Sequence, residues 1–163
     1  MPKRIVWRII THHADKERLL KWSFENGQIA LGWNAVGDLR QYKSAKEVSA
    51  AVVKRFPHLP NRHFGGVQLW NFYRTLQPGD LVILSTGGRR EAVMEVTGGY
   101  AFAGDTVEDD YLYAHRRSAK QRLDLDAEVL WRYAGGADLA PGQNIRWAFV
   151  QCGTPVDADT LPN

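Results

Sequence analysis

Five histidines, His12, His13, His58, His63 and His115, are the side chains best able to hold a metal, and their spacing argues against that role. None has a cysteine or carboxylate at the separation a zinc site uses, and His12 and His13 would point to opposite faces of any strand. A magnesium-dependent nuclease core joins an aspartate to a later acidic residue followed two positions on by lysine, which together hold the ion and neutralise charge around the attacking water. Asp80 could supply the first carboxylate, but Glu91 and Glu95 are followed by Val93 and Thr97 where the lysine belongs. There is no Gly-x-Ser-x-Gly elbow, phosphate loop or dinucleotide fingerprint. The one cysteine, Cys152, stands in a strand-like run before Gly153 and reads as a small buried residue rather than a nucleophile. The expectation is a binding domain with no catalytic residue, no metal and no cofactor.

Aromatic rings offer more. Six tryptophans in 163 residues exceed what a core of this size asks for. Trp70, Trp131 and Trp147 lie on apolar stripes and are expected inside. Trp33 follows Gly32 and precedes Asn34, so its flanks are small and polar, as suits a ring left open to a ligand. Stacking a base on such a plane contributes roughly 1–3 kcal/mol whatever the base. Asp38, within Gly37-Asp38-Leu39, would accept a hydrogen bond from the exocyclic amine of a flipped base, or else act as a turn or helix-cap carboxylate. Trp7 and Trp22 are further candidate rings, with a core strand and a covered helix face as their alternatives. The cations gather at Lys3, Arg4 and Arg8, at Arg89 and Arg90, and at Arg116, Arg117, Lys120 and Arg122, within a net charge of +3. If they share a face, Arg89, Arg90, Arg116 and Arg117 form a phosphate track; scattered solvated charge is the alternative.

The elements that must position these groups follow from pattern. Residues 4–10 are rich in β-branched and aromatic side chains and predict a strand, and Ala14 to Asn26 predicts a short helix stopped at Asn26-Gly27. Ser44-Ala45-Lys46-Glu47 has the spacing of a capping box, and Val48, Ala51, Val52 and Phe56 recur at helical spacing until Pro57 forbids continuation. Asn61 is placed to cap a second helix with the stripe Gly65, Leu69, Phe72, Tyr73 and Leu76. Its glycines Gly65 and Gly66 cost on the order of 1 kcal/mol each, so close approach of a backbone or ligand is expected there. Gln77-Pro78-Gly79-Asp80 fits a type II turn into Leu81–Leu84, a continuous apolar run suited to a strand covered on both faces. Ala92, Val93, Met94 and Val96 form the returning strand, and Gly104 to Asp110 reads as a loop. From Leu123 to Tyr133 apolar residues fall on every odd position, which predicts a strand with Leu130 as the exception. Ile145, Trp147 and Phe149 predict a last strand, and residues 154–163 have little to pack. The fold class is therefore α/β (α+β), with a curved or barrel-like mixed sheet of about six strands flanked by helices.

Two stretches, Ile29-Ala30-Leu31-Gly32-Trp33-Asn34-Ala35-Val36-Gly37-Asp38-Leu39 and Gly65-Gly66-Val67-Gln68-Leu69-Trp70-Asn71-Phe72-Tyr73-Arg74-Thr75-Leu76-Gln77-Pro78-Gly79-Asp80-Leu81-Val82-Ile83-Leu84, set out strand, Trp loop, helices, Pro-Gly-Asp turn and buried strand in order. Together they resemble the EVE and YTH branch of the PUA-like superfamily, over roughly residues 4 to 150. The resemblance implies a PUA-like domain at residues 1–153, with 154–163 as a C-terminal tail, that flips a modified, usually methylated base into an aromatic cage. It places the first cage ring at Trp33 and matches Ser85 to a serine at a strand end, where a local turn hydroxyl is the alternative. The remaining walls would come from Tyr100, Phe102, Tyr111 and Tyr113, of which Tyr111 and Tyr113 are preferred; the chain departs from the YTH pattern in having no tryptophan there. The implied partners are nucleic acid, with modified DNA favoured and RNA allowed, and a nuclease domain or subunit of a modification-dependent restriction system. An RNA-binding module acting on tRNA or rRNA and a protein–protein interaction domain are the competing readings. No apolar stretch approaches the ~18–20 residues of a membrane span, so a cytoplasmic protein without membrane contact is expected.

Overall fold

A computed structural model describes residues 3–10, 16–59, 62–86, 89–104, 113–138 and 147–162. In chain order the elements are β1 (Lys3–Arg4), β2 (Val6–Ile10), α1 (Lys16–Asn26), β3 (Gln28–Leu31), 3-10 turns at Asn34–Val36 and Leu39–Gln41, α2 (Ala45–Arg55) and α3 (Arg62–Trp70). α3 runs on into a π-helical turn, Asn71–Thr75, followed by β4 (Leu81–Thr86), β5 (Arg89–Phe102), β6 (His115–Gln121), α4 (Ala127–Tyr133), β7 (Phe149–Gln151) and β8 (Val156–Asp157). Six strands make one mixed sheet in the order β3-β6-β5-β4-β2-β7, in which β2 and β4 are parallel and every other pair antiparallel. β3 and β7 stand at opposite ends of that order, so the sheet is open and does not close into a barrel.

The sheet separates two cores. On one face Trp7, Ile9, Val82, Leu84 and Met94 pack with Val48 and Val52 of α2 and Leu69 of α3. On the other, Val6, Leu81, Ile83 and Val93 pack under Leu130 and Trp131 of α4. Every residue of β4 is buried, as its unbroken apolar run requires. Asp80 ties the turn before β4 to the first strands: its carboxylate accepts from the main-chain N–H groups of Ile5 and Gln77 and from Trp7 Nε1. Gly79 takes φ 94°, the left-handed value expected at this turn.

The capping box forms with one change of partner. Ser44 Oγ accepts from Glu47 N at 3.2 Å, while the Glu47 carboxylate accepts from the N–H of Lys43 rather than of Ser44. The two glycines of α3 face two different neighbours. A Cβ on Gly66 would collide with the main chain of Ser49 in α2, so the helices cross by backbone contact. A Cβ on Gly65 would lie 3.1 Å from Trp33 Cε2 and 3.0 Å from Val52 Cγ1.

Two expectations are corrected. Residues 127–133 are helix, not strand: Asp126 Oδ1 caps it by accepting from Val129 N at 2.9 Å. The buried set Ala127, Leu130, Trp131 and Ala134 has helical spacing, while Leu123, Val129 and Tyr133 of the alternating pattern are exposed. The strand of this region is β6, which ends at Gln121, before the alternating run begins, and carries no large apolar side chain. The C-terminal segment also packs, since β8 pairs with β1 and Val156 is buried in the α4-side core with Leu161 against it. The expected Asn61 cap, the strand start at Ile145 and the 105–110 loop lie outside the described residues.

Candidate nucleic-acid interface

β3 ends at Leu31, and two residues later Trp33 adopts φ 62° and ψ 45°. It is the one non-glycine residue at positive φ among the described residues. A bulky side chain in that region costs on the order of 1–3 kcal/mol and persists only where its surroundings fix it. Here they do. Asn34 Oδ1 accepts from Ala114 N at 2.9 Å, and the Trp33 carbonyl accepts from His115 Nε2 at 3.1 Å. The half-buried ring packs against Gly65 and the larger core.

The chemistry of that contact settles the histidine tautomer. A carbonyl only accepts, so Nε2 carries the proton and Nδ1 must accept from the Tyr100 hydroxyl at 2.7 Å. Tyr100 in turn accepts from Leu39 N at 3.1 Å. Burial pushes the His115 pKa down to about 4, against smaller opposing effects of the Trp33 carbonyl and Asp38. Burial also raises the Tyr100 phenol above its ordinary value, so the chain from Leu39 to Trp33 is uncharged at neutral pH.

Tyr100 is also a wall of a cleft of about 400 Å³ that includes Arg40, Tyr73, Arg74, Gly99 and Arg117. Three local structures bring these together. The π turn, closed by Leu76 N to Asn71 O at 2.8 Å, presents Tyr73 and Arg74. A bulge between Val96 and Tyr100 interrupts the β5–β6 ladder and carries Gly99. The 3-10 turn at Leu39–Gln41 presents Arg40. The Tyr73 and Tyr100 rings meet at 5.0 Å and 62°, Arg40 lies 5.9 Å from the Tyr100 ring centre, and Arg74 lies 5.5 Å from that of Tyr73.

The expected site residues scatter around this cleft. Trp33 is joined to it through His115 and Tyr100 but is not among its walls. Asp38 caps the Leu39–Gln41 turn and holds Arg40 through Nη2–Oδ2 at 2.6 Å and Nε–Oδ1 at 3.0 Å, which lowers its pKa. Its carboxylate is thus engaged in the cap and ion pair. Tyr113 packs on Gly32, with its ring 3.3 Å from where a Cβ would stand, and belongs with Trp22 and Ala30 on the sheet's other side. Tyr111 lies outside the described residues.

Several candidates are buried. Trp7 is a core ring stacked on Phe149 at 4.8 Å and 5°, and Trp22 is buried under Arg116, whose guanidinium sits 4.8 Å from its ring. Ser85 is buried within β4. The four arginines do not form one track. Arg116 and Arg117 are neighbours in β6 and so face opposite sides of the sheet. Both are buried. Arg90 is held by Glu128 and Asp138 over Trp131 at 4.4 Å, and Arg89 is exposed at the far end of the β4–β5 hairpin, 3.9 Å from Glu91. Arg40, Tyr73 and Arg74 were not anticipated. The signal for them was indirect: a Tyr-Arg pair just before a helix-stopping Pro-Gly, and a Gly98-Gly99 break inside a strand.

The family model described as "Domain of unknown function (DUF8426)" matches residues 7–124. No curated protein matches. Among solved structures the chain is similar to the YTH domain of the Zygosaccharomyces rouxii MRB1 protein in complex with N6-methyladenosine RNA, at 17% identity and a TM-score of 0.36. That likeness covers 72% of this chain and spans 57% of the other.

Proposed function

The chain belongs to the family described as a domain of unknown function (DUF8426), and on its own geometry we propose that it is a nucleic-acid reader that takes a nucleotide into the Arg40–Tyr73–Arg74–Tyr100 cleft. The observation that carries this reading is the meeting of three guanidiniums and two tyrosine rings in one concavity. Guanidinium forks match phosphate oxygens, and tyrosine faces accept bases at roughly 1–3 kcal/mol each. The titratable side chains lining the cleft are arginines and tyrosines, which suits holding a ligand better than transferring its protons.

We place the stacking of the base that is read at Trp33. Its strained backbone is fixed by Asn34 and His115, so the ring is held in place before any ligand arrives. In this reading the flipped base stacks at Trp33 while the adjoining nucleotide occupies the cleft, its phosphate on the arginines and its base against the tyrosines, the extrusion cost of a few kcal/mol being offset by both. The test is a binding panel of DNA and RNA oligonucleotides, single and double stranded, carrying unmodified, 5-methylcytosine, 5-hydroxymethylcytosine and N6-methyladenine bases. Binding that depends on the modification and is lost in Trp33→Ala supports the reading. Absence of binding to every oligonucleotide overturns it.

A further inference from the structure

We infer that Arg117 is the floor of an anion subsite in this cleft, which takes the phosphate of a bound nucleotide; the inference rests on the nucleic-acid reading above. Arg117 is only 3% exposed, yet its side chain lines the cleft. Its Nε donates to the Gly98 carbonyl at 3.0 Å, and Nη1 donates to the carbonyls of Phe72 and Leu76, both at 2.8 Å. These bonds cap the main-chain acceptors that the end of the π turn would otherwise leave without a donor. They leave Nη2 with no hydrogen-bond partner among the described residues.

The charge is likewise incompletely answered. With the Tyr73 carbonyl, 3.5 Å from Nη1, all four acceptors are neutral carbonyls, and no carboxylate among the described residues forms an ion pair with Arg117. Asp80 is the acid whose charge reaches it, but that carboxylate already accepts from Ile5, Trp7 and Gln77. Burial accordingly draws the Arg117 pKa below the ordinary arginine value. A buried guanidinium with one edge bonded and one edge open is incomplete without an anion, since a buried charge is stable only when paired and hydrogen-bonded.

The surroundings fit a phosphate. Arg74, exposed at the same cleft, has no carboxylate partner among the described residues and is held over Tyr73. An anion between Arg74 and the open edge of Arg117 would be gripped by two guanidiniums, with Tyr73 and Tyr100 beside it for the attached base. Room exists at the wall: nothing lies within 4 Å of the position a Cβ would take on Gly99.

The experiment is a titration of ¹⁵N-labelled protein with adenosine 5′-monophosphate, adenosine and inorganic phosphate, following the Arg117 Nε–H resonance. The monophosphate is expected to bind at least tenfold more tightly than adenosine (about 1.4 kcal/mol), to exceed inorganic phosphate, and to shift the Arg117 signal. Arg117→Gln is expected to abolish the preference. Because that change also uncaps the π turn, Gly99→Glu provides a second variant: its Cβ meets no protein atom within 4 Å, it adds a carboxylate at a cleft-lining position, and it should abolish the preference in a folded protein. Equal affinity for the monophosphate and adenosine, or a preference that survives Gly99→Glu, overturns the subsite. Inorganic phosphate matching the monophosphate overturns the nucleotide assignment. If oligonucleotides bind while the monophosphate shows no preference, the subsite alone falls; if no oligonucleotide binds, the wider reading falls with it.

Discussion

The carbonyl of Trp33 accepts a hydrogen bond from Nε2 of His115 at 3.1 Å, and this contact makes a fully buried imidazole the support of the chain's one strained tryptophan. Because Nδ1 of the same ring takes the Tyr100 hydroxyl, the tryptophan loop and the arginine–tyrosine cleft share one uncharged support.

That support sets a pH dependence. The His115 pKa is pushed down to about 4 from 6.5, so on acidification the unfolded chain binds the proton first. The contribution is complete above pH 6.5, declines as pH falls from there towards 4, and amounts to about 3 kcal/mol at most. Urea unfolding followed between about pH 7.5 and 4 should show this decline in the wild type and a flatter curve in His115→Gln. Asp38 and Asp124, whose pKa values lie below the ordinary 3.8, titrate beneath that window. Equal slopes in the two proteins would remove His115 from the argument.

Trp33→Gly separates strain from recognition. Glycine relieves the positive φ, which recovers about 1 kcal/mol, while loss of the partly buried ring costs about 1.5–3 kcal/mol. The expected net loss is about 2 kcal/mol or less by urea unfolding, together with at least a tenfold loss of affinity for a modified oligonucleotide (about 1.4 kcal/mol). Intact binding would assign the ring to packing alone.

Arg74→Gln should weaken oligonucleotide binding and lower the slope of log K against log salt by about 1, while stability stays within about 0.5 kcal/mol. Arg89→Gln, at the far end of the β4–β5 hairpin, should change affinity by less than about twofold, or 0.4 kcal/mol. The reverse order of effects, read by fluorescence anisotropy at several salt concentrations, would move the contact surface to the hairpin.

Gly66→Ala should destabilise by about 1–3 kcal/mol, because the added methyl group meets the main chain of Ser49 and forces α2 and α3 apart. Helix propensity alone favours alanine here by about 1 kcal/mol, so the sign of the change in thermal midpoint decides between crossing and propensity. A gain in stability would show that the two helices tolerate separation.

Much of the frame was legible because local chemistry and tertiary role agree along it. The Ser44–Glu47 cap, the stop before Pro57, the Gly79 turn and the buried β4 each follow from a few adjacent residues. α4 was misread because its odd-position alternation mixes buried Leu125, Ala127 and Trp131 with exposed Leu123, Val129 and Tyr133, and the supposed exception, Leu130, is the residue that completes the helical stripe. β6 was missed for the opposite reason. Its segment, His-Arg-Arg-Ser-Ala-Lys-Gln, lacks the large apolar side chains that announce a strand, although it pairs on both sides.

The cleft was harder still, since its walls are far apart in sequence. Arg40, Tyr73, Arg74 and Arg117 share no spacing, and only the path of the chain brings them together. Adjacent Arg116 and Arg117 illustrate the gap: clustering suggested a shared surface, whereas the alternation of a strand sends one over the Trp22 ring and the other to the cleft on the opposite face.

The parallel pairing of β2 with β4 carries a kinetic consequence. Everything from α1 to the π turn is one excursion whose two ends meet only when Val6 reaches Leu81 and Ile10 reaches Ser85. Closing so long a loop costs entropy that grows as about (3/2)RT ln n and tends to make such topologies slow to fold. Arg40, Tyr73 and Arg74 ride on the excursion, while Gly99, Tyr100 and Arg117 ride on the β5–β6 hairpin outside it. The cleft is therefore complete only once the excursion has docked on that hairpin through the β3–β6 and β4–β5 pairings, and a chain arrested before that docking displays no assembled binding surface.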